Sequence, residues 1–303
     1  MMPIKRNRIA AKYRHLCCVF PHCTMKLHLH RPVAILGFVL LALQPLLSQR
    51  GPELGVWLGS SQYFGDLNNL YRFDQPGLAG GITGRYNFDS RIAARMQLNY
   101  HRLAGDDAHS RNAFDLRRNL SFFANVFELA TALEFNFFPL RHGSREDFIT
   151  PYMYGGYSFF YYQPMTHYQG ESVSLRELGT EGQLPGQEYN EIAGAWLIGG
   201  GLKVDISSNW SLNLDLGYRL ASTDYLDDVS GYFPDYLELQ TNRGDLAVAL
   251  ADRSVEVDGL PAIGRTGTQR GDHRERDAFL NFGVNLVCYF GKLRCPPISY
   301  PKE

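Results

Sequence analysis

This chain lacks most of what would make it an enzyme, a nucleic-acid binder or a bundle of membrane helices. Its formal net charge is −1 over 303 residues. There is no basic surplus to neutralise a phosphate backbone, which excludes nucleic acid as the main partner. Mean hydropathy is −0.25 and only one long apolar run occurs, at 33–47. Both facts exclude a hidden helical bundle. No G-x-S-x-G, H-E-x-x-H or Walker loop is present, and no C-x-x-C spacing for a metal or redox pair. Three of the five cysteines, Cys17, Cys18 and Cys23, precede that apolar run. The remaining two, Cys288 and Cys295, read as unpaired thiols. What is plentiful is glycine (30 residues) and the pair Tyr and Phe (18 and 19). That profile suits many strands with close backbone approaches.

The apolar run follows Lys26, His28, His30 and Arg31 and ends before Ser48 and Gln49. About fifteen residues is short for a spanning helix and right for a signal-peptide core. Cleavage is expected near Ser48, with Met25 as the working start. The chain then divides into an upstream extension (1–24), a signal peptide (25–48), a barrel (50–291) and a short tail (292–303).

Beyond the leader, eight segments alternate apolar and polar residues, at 53–61, 78–88, 92–103, 120–138, 150–163, 192–206, 210–220 and 278–290. Alternation with period two marks a strand with two unlike faces. The links run long, short, long, short, long, short, long. Those at 89–91, 139–149 and 207–209 are short; those at 64–77, 104–119, 164–191 and 221–277 are long. This rhythm is that of an all-β, eight-stranded antiparallel transmembrane barrel of the small OmpA/OmpX-like kind, with short periplasmic turns and long outer loops. Within the last loop, 245–253 has helical composition. The segment 150–163 is aromatic on both faces, so its orientation stays open.

Energy decides which face is outward. One set holds Leu54, Val56, Ile82, Leu98, Leu133, Ile198 and Leu214. The other holds Arg85, Arg95, Lys203 and Arg219 with Glu128, Glu134, Asp205 and Asp215. A Lys or Arg facing lipid at mid-depth costs roughly 2–4 kcal/mol, so the charged set belongs inside. Four bases against four acids, in a lumen just wide enough for side chains, predict a plug of ion pairs in place of a pore. Arg85 and Arg95 should face each other across the turn at 89–91, with Glu134 as their shared counter-ion. Trp57 reads as filler of the same lumen. Phe88, Phe137, Trp210 and Phe290 fall at periplasmic strand ends on the apolar face and make a plausible aromatic girdle.

Catalytic and metal signals are thin. His101 points inward near the outer rim, where Ser110 or Ser121 would have to approach it to build a nucleophile; a lumen histidine is the simpler reading. The acidic segment 223–228 offers three carboxylates, but no EF-hand spacing, and Asx turns account for it. Arg270-Gly271-Asp272 is too common a tripeptide to imply adhesion.

Several stretches taken together do carry a resemblance. Gly65-Asp66-Leu67-Asn68 follows the first strand. Arg118-Asn119-Leu120-Ser121-Phe122 opens the fourth, and Leu133-Glu134-Phe135-Asn136-Phe137-Phe138-Pro139 closes it. Leu178-Gly179-Thr180-Glu181-Gly182-Gln183 lies in the third outer loop. Thr223-Asp224-Tyr225-Leu226-Asp227-Asp228-Val229-Ser230-Gly231 begins the fourth, with Ala251-Asp252-Arg253-Ser254 further on. In order and spacing, over 53–290, these resemble the PorG-like outer-membrane barrels associated with the type IX (Por) secretion system. The resemblance implies a non-enzymatic barrel of the Gram-negative outer membrane. It implies no cofactor and no small-molecule substrate. Its partners would be outer-membrane lipid and periplasmic secretion-ring proteins. Ring contact must come from the periplasmic side, where the turn carrying Arg141, His142 and Arg145 is the expected docking patch. A rival reading keeps the barrel and makes its long loops a surface for ligands or host surfaces.

Overall fold

The computed structural model describes residues 50–257 and 261–291. The expected extension, signal peptide and tail, and Cys295, lie outside the described residues. Nine strands form one antiparallel sheet: β1 (Gly51–Phe64), β2 (Gly77–Asn87), β3 (Ile92–Asp106), β4 (Ser121–Asn136), β5 (Ile149–Tyr168), β6 (Glu171–Ser174), β7 (Ile192–Asp205), β8 (Trp210–Ala221) and β9 (Ala278–Tyr289). Each ring strand pairs with its sequence neighbours, and β1 pairs with β9, so eight of the nine close into a barrel. The short β6 stands outside the ring, hydrogen-bonded to the outer end of β5.

The eight strands lie where alternation places them, within a few residues at each end. The main departures are at the outer side. β3 continues to Asp106 and β5 to Tyr168, where β6 supplies a partner that sequence alone does not reveal. A strand of 20 residues is about twice what a tilted transmembrane strand needs, so β5 rises well past the barrel's apolar belt. Its open orientation is resolved. Tyr152, Tyr154, Ser158, Phe160 and Tyr162 point inward, and Met153, Phe159 and Tyr161 outward.

Polarity follows from burial. Leu54, Val56, Leu58, Ile82, Leu98, Leu133, Trp196 and Ile198 are all more than half exposed on the outer wall, whereas Arg85, Arg95, Glu128, Glu134, Lys203 and Arg219 are buried in the lumen. The lumen is crowded enough to dictate glycine. A Cβ on Gly199 would sit 2.3 Å from the Tyr154 ring, and one on Gly217 would sit 2.5 Å from the Tyr154 hydroxyl and 2.6 Å from Arg219. Glycine leaves room for these bulky inward side chains.

Above the charged lumen the interior turns apolar. Tyr63, Leu103, Phe122, Phe160, Leu226 and Phe279 belong to one buried cluster that joins the outer barrel to the loops. The long loops are structured. A short helix, Ala113–Arg118, is capped by Asn112 and stopped by Asn119 at φ 56°. The last loop holds two helices, Tyr236–Arg243 and Asp245–Ala251. The second begins where composition suggests and ends two residues sooner. The first goes unread in the sequence although it carries a clear signal: Asp235 accepts from the backbone N–H of Leu237 and Glu238, and Gly244 follows its last turn; both are ordinary start and stop chemistry. No helix among the described residues is long and apolar enough to cross a membrane, which says nothing about strands.

Candidate functional site

Three zones could do chemistry or make contacts: the charged lumen, the cap formed by the long loops and the short turns at the opposite end. The lumen is built from residues that alternate inward on neighbouring strands. Arg85 on β2 stands in register with Arg95 on β3. Glu134 lies between them, 3.1 Å from Arg85 Nε and 3.7 Å from Arg95 Nη1, and it also takes the Lys203 ammonium. Arg95 donates to Asp215 at 2.6 Å, and the hydroxyls of Tyr152 and Tyr154 donate to the same carboxylate at 2.6 and 2.8 Å. Two cations lie over the same two tyrosine rings, Arg95 at 4.3 Å from Tyr154 and Lys203 at 4.8 Å from Tyr152; such contacts strengthen when desolvated. One layer higher, Glu128 joins Arg219 at 3.0 Å, His101 at 3.1 Å and Asn99 at 2.7 Å, and Trp57 donates to Asn99 at 2.8 Å.

Two members of this network escape the sequence reading. Glu53 takes Arg85, Asn87 and His142 at 2.5, 2.5 and 3.1 Å. His142 itself corrects the docking patch. It is buried, sits 3.0 Å from Asp205 and stacks on Tyr289 with ring centroids 4.2 Å apart. The turn that carries it closes on bonds from Arg141 N to Asp147 O and from Ser144 N to Arg141 O. Gly143, at φ 79°, takes the left-handed conformation that reverses the chain, which glycine adopts without steric cost. The imidazole is thereby driven up into the barrel mouth. Burial works against its charge, but the hydrogen bonds to Asp205 and Glu53 prevail and raise its pKa to about 9. A protonated His142 therefore offsets Glu53. Asp205 belongs to this lower seal, bonded to His142 and Ser211, and not to the mid-lumen layer. The space left between Glu53, Asn87, Asn136, Leu140 and His142 is about 10 Å³, at the limit for one water. Of the expected patch, Arg141 and Arg145 remain at the surface; Arg141 is 60% exposed and loosely paired with Asp147 at 3.4 Å.

The catalytic alternative is not assembled. His101 faces Glu128, Ser110 donates to Asp115 at 2.7 Å, and Ser121 sits beside Thr166 at 3.3 Å and Arg253 at 3.1 Å. Among the described residues no group of three or more His, Cys, Asp or Glu is disposed to hold a metal.

The loop motifs converge, though they lie far apart in sequence. Arg270 is their hub: it donates to Glu181 at 3.1 Å, to the Asp228 carbonyl at 2.7 Å and to the Ala251 carbonyl at 3.2 Å. Glu181 also accepts from the N–H groups of Ser230 and Gly231, both at 3.0 Å. Thr180 and Tyr189 donate to Asp228 at 2.5 and 2.7 Å. Asp66 accepts from the Asp272 N–H at 2.8 Å, and Arg118 reaches the carbonyls of Asp66 and Arg270 and the Asp107 carboxylate. Gly179 and Gly182 hold positive φ where the third loop turns into this node, and Gly65 ends β1 beside it. With Arg270 only 2% exposed, the Arg-Gly-Asp tripeptide is an internal strut. Nearby, Tyr63 faces two carboxylates at once, Asp227 at 2.7 Å and Asp277 at 2.6 Å. Burial first, then repulsion from neighbouring carboxylates (Asp277 and Asp66 on Asp227; Asp224 and Asp66 on Asp277), holds both acids well above the ordinary carboxylate range. Burial likewise lifts Asp228 to about 6, against the pull of Arg270, and Asp224 to about 7. Tyr225 stacks on Tyr189 at 4.6 Å alongside.

An antiparallel ring of eight strands with an apolar wall and a charged, filled lumen defines the class of small barrel that crosses a bilayer on strands. The chain belongs to the family described as a domain of unknown function, DUF6089, whose profile matches residues 32–246. No curated protein matches it. Among solved structures it is similar to Neisserial surface protein A, with TM-score 0.39 and 8% identity, covering 79% of this chain and 97% of that one. It is similar also to OprG of Pseudomonas aeruginosa (0.39 and 7%, covering 81% and 98%) and to Ail, the attachment invasion locus protein of Yersinia pestis (0.34 and 8%, covering 80% and 97%).

Proposed function

We propose that this chain is an integral outer-membrane barrel that does no chemistry and serves as a membrane anchor for the periplasmic ring of type IX secretion. The observation that carries the reading is the sealed lumen. Ion pairs and tyrosine hydroxyls fill it from Glu53 to Arg219, and His142 closes its lower mouth. With the interior occupied, the barrel has only its surfaces to offer. The exposed leucines, isoleucines and aromatics of the wall supply the lipid contact. The periplasmic turns supply the protein contact, with Arg141 and Arg145 on the exposed side of the turn at 139–148. The PorG-like order of the loop motifs supports the choice of machine. The test is co-purification. Tagged protein extracted from membranes in mild detergent is expected to bring ring proteins with it, and Arg141→Glu with Arg145→Glu is expected to lose them. If the unaltered protein brings none, the ring assignment is wrong.

A further inference from the structure

Outward-facing positions on the eight ring strands carry one Lys or Arg among the described residues, and that one is Arg102 on β3. It sits at a particular place. One rung below it the wall is largely apolar and bears a groove of about 490 Å³ lined by Ile82, Leu98, Tyr100, Phe127, Phe159 and Tyr161 among others. That volume lies in the range of ligand sites. The groove exists because Gly80, paired with Tyr100, presents no side chain to the wall. Arg102 is in register with Asn125, which in turn faces Gln163, so the wall changes from apolar to polar at this rung.

The guanidinium is held in place. It lies 3.9 Å over the Phe123 ring and donates to Asn125 Oδ1 at 2.8 Å, while the Tyr100 hydroxyl donates to the same oxygen at 2.9 Å. His167 packs on Phe123 at 4.7 Å. No carboxylate among the described residues pairs with Arg102. A cation at the edge of an apolar wall gains by meeting an anion, and the described residues supply none.

We infer that β2 to β5 form a binding site for a phosphorylated lipid of the outer leaflet, with its phosphate on Arg102 and an acyl chain in the groove beneath. The inference rests on the outer-membrane reading above. Charge complementarity selects the headgroup: the guanidinium has free donors in a fixed fork, which matches phosphate. The contiguity of cation and groove selects a lipid over a free anion.

The experiment is native mass spectrometry of the full chain offered equal amounts of lipid A and its phosphate-free (dephosphorylated) form in detergent. Lipid A is expected to be retained in preference. Arg102→Gln should cut lipid A retention about tenfold, the worth of one charged hydrogen bond, and leave the dephosphorylated form unchanged. Leu98→Trp, which fills the groove, should lower retention of lipid A with the charge intact. Mobility of unboiled samples on gels shows that each variant is folded. Equal retention of the two lipids, or a folded Arg102→Gln protein that still prefers lipid A, overturns the site. So does displacement of lipid A by excess inorganic phosphate alone, which marks a free-anion site. A chain that stays in solution without detergent refutes the outer-membrane reading itself, whereas a folded, detergent-solubilised chain with no lipid preference refutes only this site.

Discussion

The lower lumen and the outer cap both bury ionisable groups, the lumen more completely, yet they are assembled on different principles. In the lumen every carboxylate meets a cation: Glu134 has three around it, Asp215 has Arg95, and Glu128 has Arg219. In the cap the acids crowd one another. Asp227 and Asp277 share one tyrosine hydroxyl, while Arg118 and Arg270 spend donors on backbone carbonyls. The difference teaches where each zone's order comes from. Strand geometry presents the lumen charges at fixed heights, so opposite signs can be matched directly. Loops have no such lattice, and their backbone must be tied down by side chains.

The comparison is sharpest under substitution of its two hubs. Glu134→Ala leaves Arg85, Arg95 and Lys203 without their common acceptor, and breaking a buried ion pair on one side costs about 3–5 kcal/mol. A large fall in the barrel's melting temperature, read by circular dichroism or gel mobility, is expected; an unchanged value would break the claim that the lumen is a network. Arg270→Ala should cost about 2–3 kcal/mol through its charged hydrogen bonds, but locally. Limited proteolysis should cut the loops at 164–191 and 221–277 while the barrel melts as before. If both variants melt the barrel alike, cap and lumen are one cooperative unit and the contrast fails.

Acidity separates the ends more gently. Asp228 and Asp224 have folded values near 6 and 7, above the ordinary carboxyl value of about 3.9. The folded cap therefore binds more protons than an open one. Its extra stability is full below about pH 4 and is lost as pH rises through 6 to 7. His142 is raised to about 9, so its contribution is full below its ordinary value of about 6.5 and is lost as pH rises towards 9. Hydrogen exchange, corrected for intrinsic rate, should show the outer loops loosening between pH 4 and 7 and the turn at 139–148 only above neutrality. Loosening of both in one window would contradict the assignment. The smallest stability effect is expected at the exposed face of the turn at 139–148. Arg141→Glu and Arg145→Glu should change stability by no more than about 0.5 kcal/mol, measured by the same melt, while abolishing ring co-purification.

What the sequence makes legible follows the same division. Period-two alternation is a local signal, and it locates the eight ring strands, their outward faces and the meeting of Arg85, Arg95 and Glu134. It leaves only the orientation of β5 open, because tyrosine and phenylalanine serve both of its faces: inward rings reach Asp215, while outward ones join the wall. The lower seal is illegible for another reason. Residues 139–149 have the polar composition of a solvated turn, and only closure of the ring brings Glu53 and Asp205 to either side of His142. In the cap, Glu181 and Arg270 meet across 89 positions, beyond any local pattern. The helix at Tyr236–Arg243 is different: its cap and stop were there to be read.

The pairing of β1 with β9 carries a consequence for biogenesis. The first strand's partner is the last ring strand in chain order, so until its 12 residues are in place β1 and β8 each lack one ladder partner among the described residues. Until β9 seats between β1 and β8, both edges remain templates for pairing with another strand.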